Sequence, residues 1–253
     1  MTALSFAALV FIATFLAASL GFRIQGLLPE KYTDDVTEGS VKVVLGMLTM
    51  LTTVVLGFIT ADAKHSFDAA ANIVSDTAVR LVSIDRILDG FGDEAAPIRG
   101  RMKRAATEWI DRIQSPAGDR NLDLRAVQRG EELEDLFGEI AALTPKSDAQ
   151  ERDQSRAIDH ASGILHDRWV LATERAASTP TVFLFVVLAW LALEFFIFGL
   201  FACRNPFVTA ATFVGALTVA SAMFLVLDLE GPTTGPMRVS TGALERAVAI
   251  MGQ

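Results

Sequence analysis

Four stretches of roughly twenty residues, almost free of charge, constrain this chain more than any other feature. The first is everything before Arg23, and the second lies between Lys42 and Asp62. The third lies between Arg175 and Arg204, broken only by Glu194, and the fourth between Arg204 and Asp228. Each is about the ~20 residues that cross ~30 Å of hydrocarbon at ~1.5 Å per residue. The expected fold class is therefore an all-α integral membrane protein with four transmembrane helices. Composition agrees: half of the 253 residues are apolar, and a mean hydropathy of +0.40 is high for a soluble chain.

Charge is concentrated between spans two and three. Residues 62–180 hold 16 of the 22 Lys and Arg and 22 of the 30 Asp and Glu. The expected organisation is residues 1–61 with spans one and two, 62–180 as an inserted helical cytoplasmic domain, 181–228 with spans three and four, and 229–253 as a Pro/Gly turn with an amphipathic tail. The small residues of LAASLG resemble a signal-peptidase site, but the leader MTALSF carries no Lys or Arg, so a retained first span is expected. With four spans, both termini and residues 62–180 share one side. That side carries Lys64, Arg80, Arg168, Arg175, Arg238 and Arg246 near its span ends, against Arg23, Lys31, Lys42 and Arg204 on the other. The excess of six over four favours a cytoplasmic first side.

In VLGFITADAKHSF, Val55 to Phe67, the chain passes from apolar to charged at Asp62 with no turn residue after Gly57. Beyond it, Phe67, Ala70, Val74, Ala78, Leu81, Ile84 and Leu88 recur at spacings of three and four, one buried helical stripe. Gly90 and Gly92 supply the stop. One helix is therefore predicted from about Val41 to Asp89. A second opens at Pro97, carries Ile98, Met102, Ala105, Trp109 and Ile113, and closes before Pro116. A third covers about Leu122 to Leu143, and a fourth begins near Ser147 with Ile158, Ala161, Leu165, Trp169, Ala172 and Ala176. Pro180 marks the junction with span three. No stretch of the inserted segment alternates as a strand would. The basic IRGRMKR (Ile98 to Arg104) and acidic EELEDLFGE (Glu131 to Glu139) read equally as antiparallel neighbours or as two solvated faces.

Catalytic signatures are absent: no phosphate loop, paired-cysteine metal site, His-Glu-x-x-His helix or serine elbow. The reading is of a non-enzyme with no cofactor, no metal site and no nucleic-acid partner. His65, His160 and His166 read as surface or packing residues, and Cys203 as a small apolar packing residue. Span two carries Gly46, Thr49, Thr53, Gly57 and Thr60 at steps of three, four, four and three, one small and weakly polar stripe. Such a stripe serves either close helix packing or a pore face repeated around a ring of subunits. Glu194 is the ionisable residue inside a span, ~20 Å into the membrane from Thr181. An intramembrane carboxyl marks function by default; a structural hydrogen bond to a Thr of a neighbouring span is the alternative. After span four, Gly231, Pro232, Gly235 and Pro236 force a turn at the membrane surface, and Leu244, Val248 and Met251 line one side of the tail.

Three motifs, GFRIQGLLPEKY, LGFITADAKHSFDAAANIVSDTAVRLVSIDRIL and EGPTTGPMRVS, span nearly the whole chain and resemble the bacterial bestrophin-like domain family. In the last motif Glu230, Pro232, Gly235, Val239 and Ser240 fit the family pattern, while Thr233 stands where Phe is usual. The resemblance reaches distantly to bestrophins, pentameric anion channels whose second span lines the pore, through Leu56, Gly57 and Phe58. It implies a bacterial inner-membrane protein, surrounded by membrane lipid, that forms a homo-oligomer, a pentamer by analogy, and passes small inorganic ions, with Gly46, Thr49, Thr53, Gly57 and Thr60 lining the path. The competing reading is a non-conducting membrane protein whose cytoplasmic helical domain docks a protein partner.

Overall fold

The computed structural model describes residues 2–27, 29, 35–114, 134–174, 181–203, 205–230 and 237–252. Helix is the dominant regular structure of these residues, with no strand among them. The helices are α1 (Ala3–Gln25), α2 (Asp35–Asp89), a 3₁₀ turn at Gly92–Glu94, α3 (Ala96–Gln114), α4 (134–142), α5 (Asp148–Glu174), α6 (Thr181–Phe201), α7 (Pro206–Leu229) and α8 (Gly242–Ile250). Four of them, α1, α2, α6 and α7, are long and apolar enough to cross a membrane. The predicted turn at Gly231 to Pro236 with Thr233, the start of the third inserted helix, and the Pro180 junction lie outside the described residues.

α2 begins six residues before the predicted Val41. The added residues include Glu38, whose i,i+4 ion pair with Lys42 closes at 2.5 Å in the favourable order, acid before base. The helix then runs past Asp62 to Asp89. At its end the amides of Gly90 and Phe91 bond back to Ile87 and Leu88, and Gly92 takes φ +68, a backbone region open to glycine.

The chain divides into two compact units. One comprises Met1–His65 with Ala177–Glu230. Here α1 packs along α6 and α7, and Phe6 and Val10 meet Leu184, Leu188, Ala220 and Met223. Capping fixes two helix starts: the Thr2 hydroxyl accepts from the Ser5 amide at 3.3 Å. Likewise Asn205 Oδ1 accepts from the Val208 amide at 2.8 Å, ahead of Pro206 in the first turn. The closest backbone approach joins α1 to α6. A Cβ added at Gly199 would overlap the Ala18 carbonyl, and one at Gly21 would overlap the Phe196 carbonyl.

The other unit comprises Ser66–Ala176 with Gly231–Gln253. Its core draws Ala70, Val74, Ala78, Leu81, Ile84 and Leu88 from α2, all buried as the stripe predicts. From α3 the buried residues are Ile98, Met102, Ala106, Ile110 and Ile113. This corrects the predicted face: Ala106 and Ile110 form its centre, and Ala105 and Trp109 are half-buried at its edge. On α5 the buried set is Gln154, Ala157, Ala161 and Ile164; Trp169, expected in the stripe, is exposed because the register has rotated by one position. Buried Gln154 donates to the Ile140 and Leu143 carbonyls at 2.9 and 2.8 Å, satisfying the open end of α4. The tail belongs to this core, with Leu244 and Met251 buried and Val248 packed against them.

Candidate pore face and intramembrane carboxyl

α2 presents three faces along its membrane-spanning part. Thr52, Ile59 and Ala63 are buried, with Leu56 packed beside them against the core of the first unit. About 90° round the helix, by ~100° per residue, lies the small stripe. Gly46, Thr49, Thr53 and Gly57 are exposed and Thr60 half-buried, and nothing approaches within 4 Å of a Cβ placed at Gly46 or Gly57. The Thr53 and Thr60 hydroxyls donate to the Thr49 and Leu56 carbonyls at 2.7 and 2.8 Å. This leaves hydroxyl lone pairs and methyls on the open side. The third face is bulky and apolar, with Val43, Met47, Met50, Val54 and Phe58 exposed. Only 11% of the most apolar window of α2 is buried, against 28% for each of the other three spans. The small residues of α2 therefore do not pack helices together within one chain. That role falls to Ala18, Gly21 and Gly199, which were not singled out from the sequence.

Glu194 Oε1 accepts a hydrogen bond from the Thr52 hydroxyl at 2.6 Å. Thr52 is only 3% exposed and Glu194 is half-buried, so this part-buried bond ties α2 to α6. A carboxylate at this depth costs about 3 kcal/mol by insertion scales, and the bond is the compensation expected from a neighbouring Thr.

Of the family-motif residues, Leu56 is half-buried, Gly57 and Phe58 are exposed, and Glu230 caps α7, its amide bonding to the Val226 carbonyl at 3.2 Å. Val239 is buried in the second unit, and the exposed Ser240 accepts from the Gly242 amide at 3.3 Å. Pro232 and Gly235 lie outside the described residues. Cys203 is exposed at the end of α6 rather than packed: α6 ends at Phe201, so the residue sits in the connection and not on a helix face. His65 and His166 are exposed and His160 half-buried. Among the described residues no cluster of His, Cys, Asp or Glu could hold a metal ion.

The second unit contains a polar network that sequence reasoning missed. Buried Asp85 accepts from Arg99 Nε at 2.8 Å, from Arg99 Nη2 at 3.1 Å and from the Gly252 amide at 3.2 Å. Arg99 also pairs with Asp89. Lys103 donates to the Met251 carbonyl at 2.6 Å, and Gln114 to Thr241 and Glu245. Hydrogen bonding to Asp85 above all, with the charges of both aspartates, outweighs desolvation and raises the Arg99 pKa above its ordinary value. The signal was present, because Asp85 continues the series Val74, Ala78, Leu81, Leu88 at helical spacing, and an acid on a buried stripe requires a partner. Arg101 pairs with Glu139, so the basic and acidic stretches meet as neighbours.

The sequence profile of the Bestrophin-like domain matches residues 8–244. The chain belongs to the bestrophin-like family. Among solved structures, this bestrophin-like chain resembles a single-substitution variant of a bacterial bestrophin homologue from Klebsiella pneumoniae. The two share 17% identity at a TM-score of 0.66, over 97% of this chain and 99% of the other. A second variant of that homologue gives 17% identity and a TM-score of 0.63, over 98% and 99%. A crystal structure described as a membrane protein gives 17% and 0.65 over 98% and 100%. At these identities the shared property is the fold. No curated protein matches the sequence. This bestrophin-like chain is thus an all-helical, multipass membrane protein.

Proposed function

We propose that this bestrophin-like protein is a homo-oligomeric channel for small ions, anions by analogy with bestrophins, in which α2 lines the pathway. The observation that carries the reading is the stripe of Gly46, Thr49, Thr53, Gly57 and Thr60. It is open within one chain while Thr52 and Ile59, about a quarter turn away, hold α2 against the rest of the first unit. A face of hydroxyls, methyls and bare backbone is polar enough to wet and carries no fixed charge to trap an ion. Copies arranged about an axis, five by the bestrophin analogy, would place these faces around a common path. The bulky apolar face of Met47, Met50, Val54 and Phe58 would be left for a neighbouring subunit or lipid.

In this reading residues 62–180 form the cytoplasmic domain, both termini lie on that side, and the protein resides in a bacterial inner membrane without enzymatic activity. The test is ion flux into vesicles holding the purified protein. Thr53→Phe should abolish flux while leaving the native mass unchanged; undiminished flux would remove α2 from the pathway. A second reading has the charged unit docking a protein partner, favoured by exposed Trp169 and Val79 on its helices. Reproducible capture of one partner by the full-length protein, together with absence of flux, would select it.

A further inference from the structure

Within the first unit, the spans offer Glu194 no countercharge. α1 has no ionisable side chain between Ala3 and Phe22, α2 none between Lys42 and Asp62, and α7 none from Pro206 to Leu227. Glu194 is alone on α6 between Thr181 and Phe201. The nearest ionisable residues along each span are Arg23, Lys42, Asp62 and Asp228, all at the ends. Thr52 stands ten residues from both Lys42 and Asp62, ~15 Å from either charge along the helix. The group that meets Glu194 is the neutral Thr52 hydroxyl, at 2.6 Å.

A carboxyl in hydrocarbon without a countercharge is held neutral by a bound proton or surrounded by water. The geometry points to Glu194 as a proton-binding site in the membrane whose occupancy latches α2 to α6 through Thr52. In the latched state a proton from water bonds to one carboxyl oxygen, and the Thr52 hydroxyl donates to the other. When that proton returns to water, the carboxylate is tolerable only if water follows it, so the seam between α2 and α6 opens to solvent. α2 is the span least buried by its own chain. Among described residues 43–61, Thr52 alone forms a side-chain hydrogen bond to another helix. Thr53 of the small stripe is the next residue, so a change at the seam is felt on the open face. Any consequence for conduction rests on the channel reading; the proton site does not.

Two readouts on the full-length protein in lipid vesicles test the inference, and neither needs flux. The first is infrared difference spectroscopy between acid and alkaline pH. Wild type should show a protonated-carboxyl carbonyl band that Glu194→Gln removes and Thr52→Val moves to higher frequency, as expected of a carbonyl that loses its hydrogen bond. The second is labelling of Leu56→Cys, one turn from Thr52 on the packed side of α2, by a water-soluble thiol reagent in a Cys203→Ser background, with and without Glu194→Gln. The ratio between the two backgrounds cancels the thiol's own titration. It should rise several-fold from acid to alkaline pH as the seam wets. A band that survives Glu194→Gln, or a labelling ratio flat with pH, overturns the proposal. If the channel reading also holds, Glu194→Gln removes the pH dependence of flux. Absence of flux at every pH, with band and labelling as expected, overturns the channel reading and supports the proton site.

Discussion

Replacing Asp85 by Asn should destabilise the second unit by about 2–3 kcal/mol, whereas the same change at Asp89 should cost about 0–1 kcal/mol, although one arginine serves both. The Asp85 side chain is 3% exposed and accepts three hydrogen bonds, two from Arg99 and one from the Gly252 amide. Asparagine retains one oxygen and turns an amide NH₂ toward another donor. One charge-assisted bond, about 1.5–3 kcal/mol, is lost. The full ~3–5 kcal/mol of stranding a buried charge is not reached. Arg99, 19% exposed, keeps its pairing with Asp89, which is 58% exposed. For a chain of this size the loss corresponds to a fall in Tm of roughly 5–10 °C. The assay is thermal unfolding of the full-length protein in detergent for wild type, Asp85→Asn and Asp89→Asn. An Asp85 variant within about 0.5 kcal/mol of wild type, or two variants of equal cost, would refute the reasoning. The raised Arg99 pKa fixes the pH dependence of this arginine's contribution. A cation whose pKa is raised on folding stabilises fully below its unfolded value and loses that contribution only as pH climbs past it. For a guanidinium this lies beyond the titration of every other side chain. The Arg99 contribution should therefore persist through alkaline titration of ordinary lysines near ~10.4.

Gly199→Ala places a methyl on the Ala18 carbonyl and should lower stability by about 1–3 kcal/mol, since a backbone atom cannot swing aside; thermal unfolding in detergent checks it. Gly46→Ala, facing open space, should leave the same measurement unchanged within about 0.5 kcal/mol. Opposing Arg101 and Glu139 are each about two-fifths exposed, so a double-mutant cycle between them should return a coupling of about 0–1 kcal/mol.

Much of the fold was legible because membrane spans and buried stripes are written in single-residue chemistry. Charge-free runs located α1, α2, α6 and α7, and the spacing from Ala70 to Leu88 located the buried side of α2. Partners are not written that way. Whether small residues such as Gly46 and Gly57 or Gly21 and Gly199 meet another backbone depends on which helices become neighbours, and periodicity within one helix is silent on that. The one-position rotation on α3 has the same origin. Ala105 and Trp109 fit the spacing as well as Ala106 and Ile110, and the choice is made by what α3 packs against. Glu194 stood out as an ion in a span, and the alternative of a bond to a neighbouring threonine is realised by Thr52. The Asp85–Arg99 pair was hidden because its two residues lie on different helices, although an acid on an apolar stripe marked half of it.

The central claim, that the stripe on α2 faces a shared path, is tested most directly by the native mass of the purified protein in detergent or lipid. The account predicts a closed ring of several 27.3 kDa chains, five by the bestrophin analogy. A single chain would leave the stripe facing lipid and contradict the account.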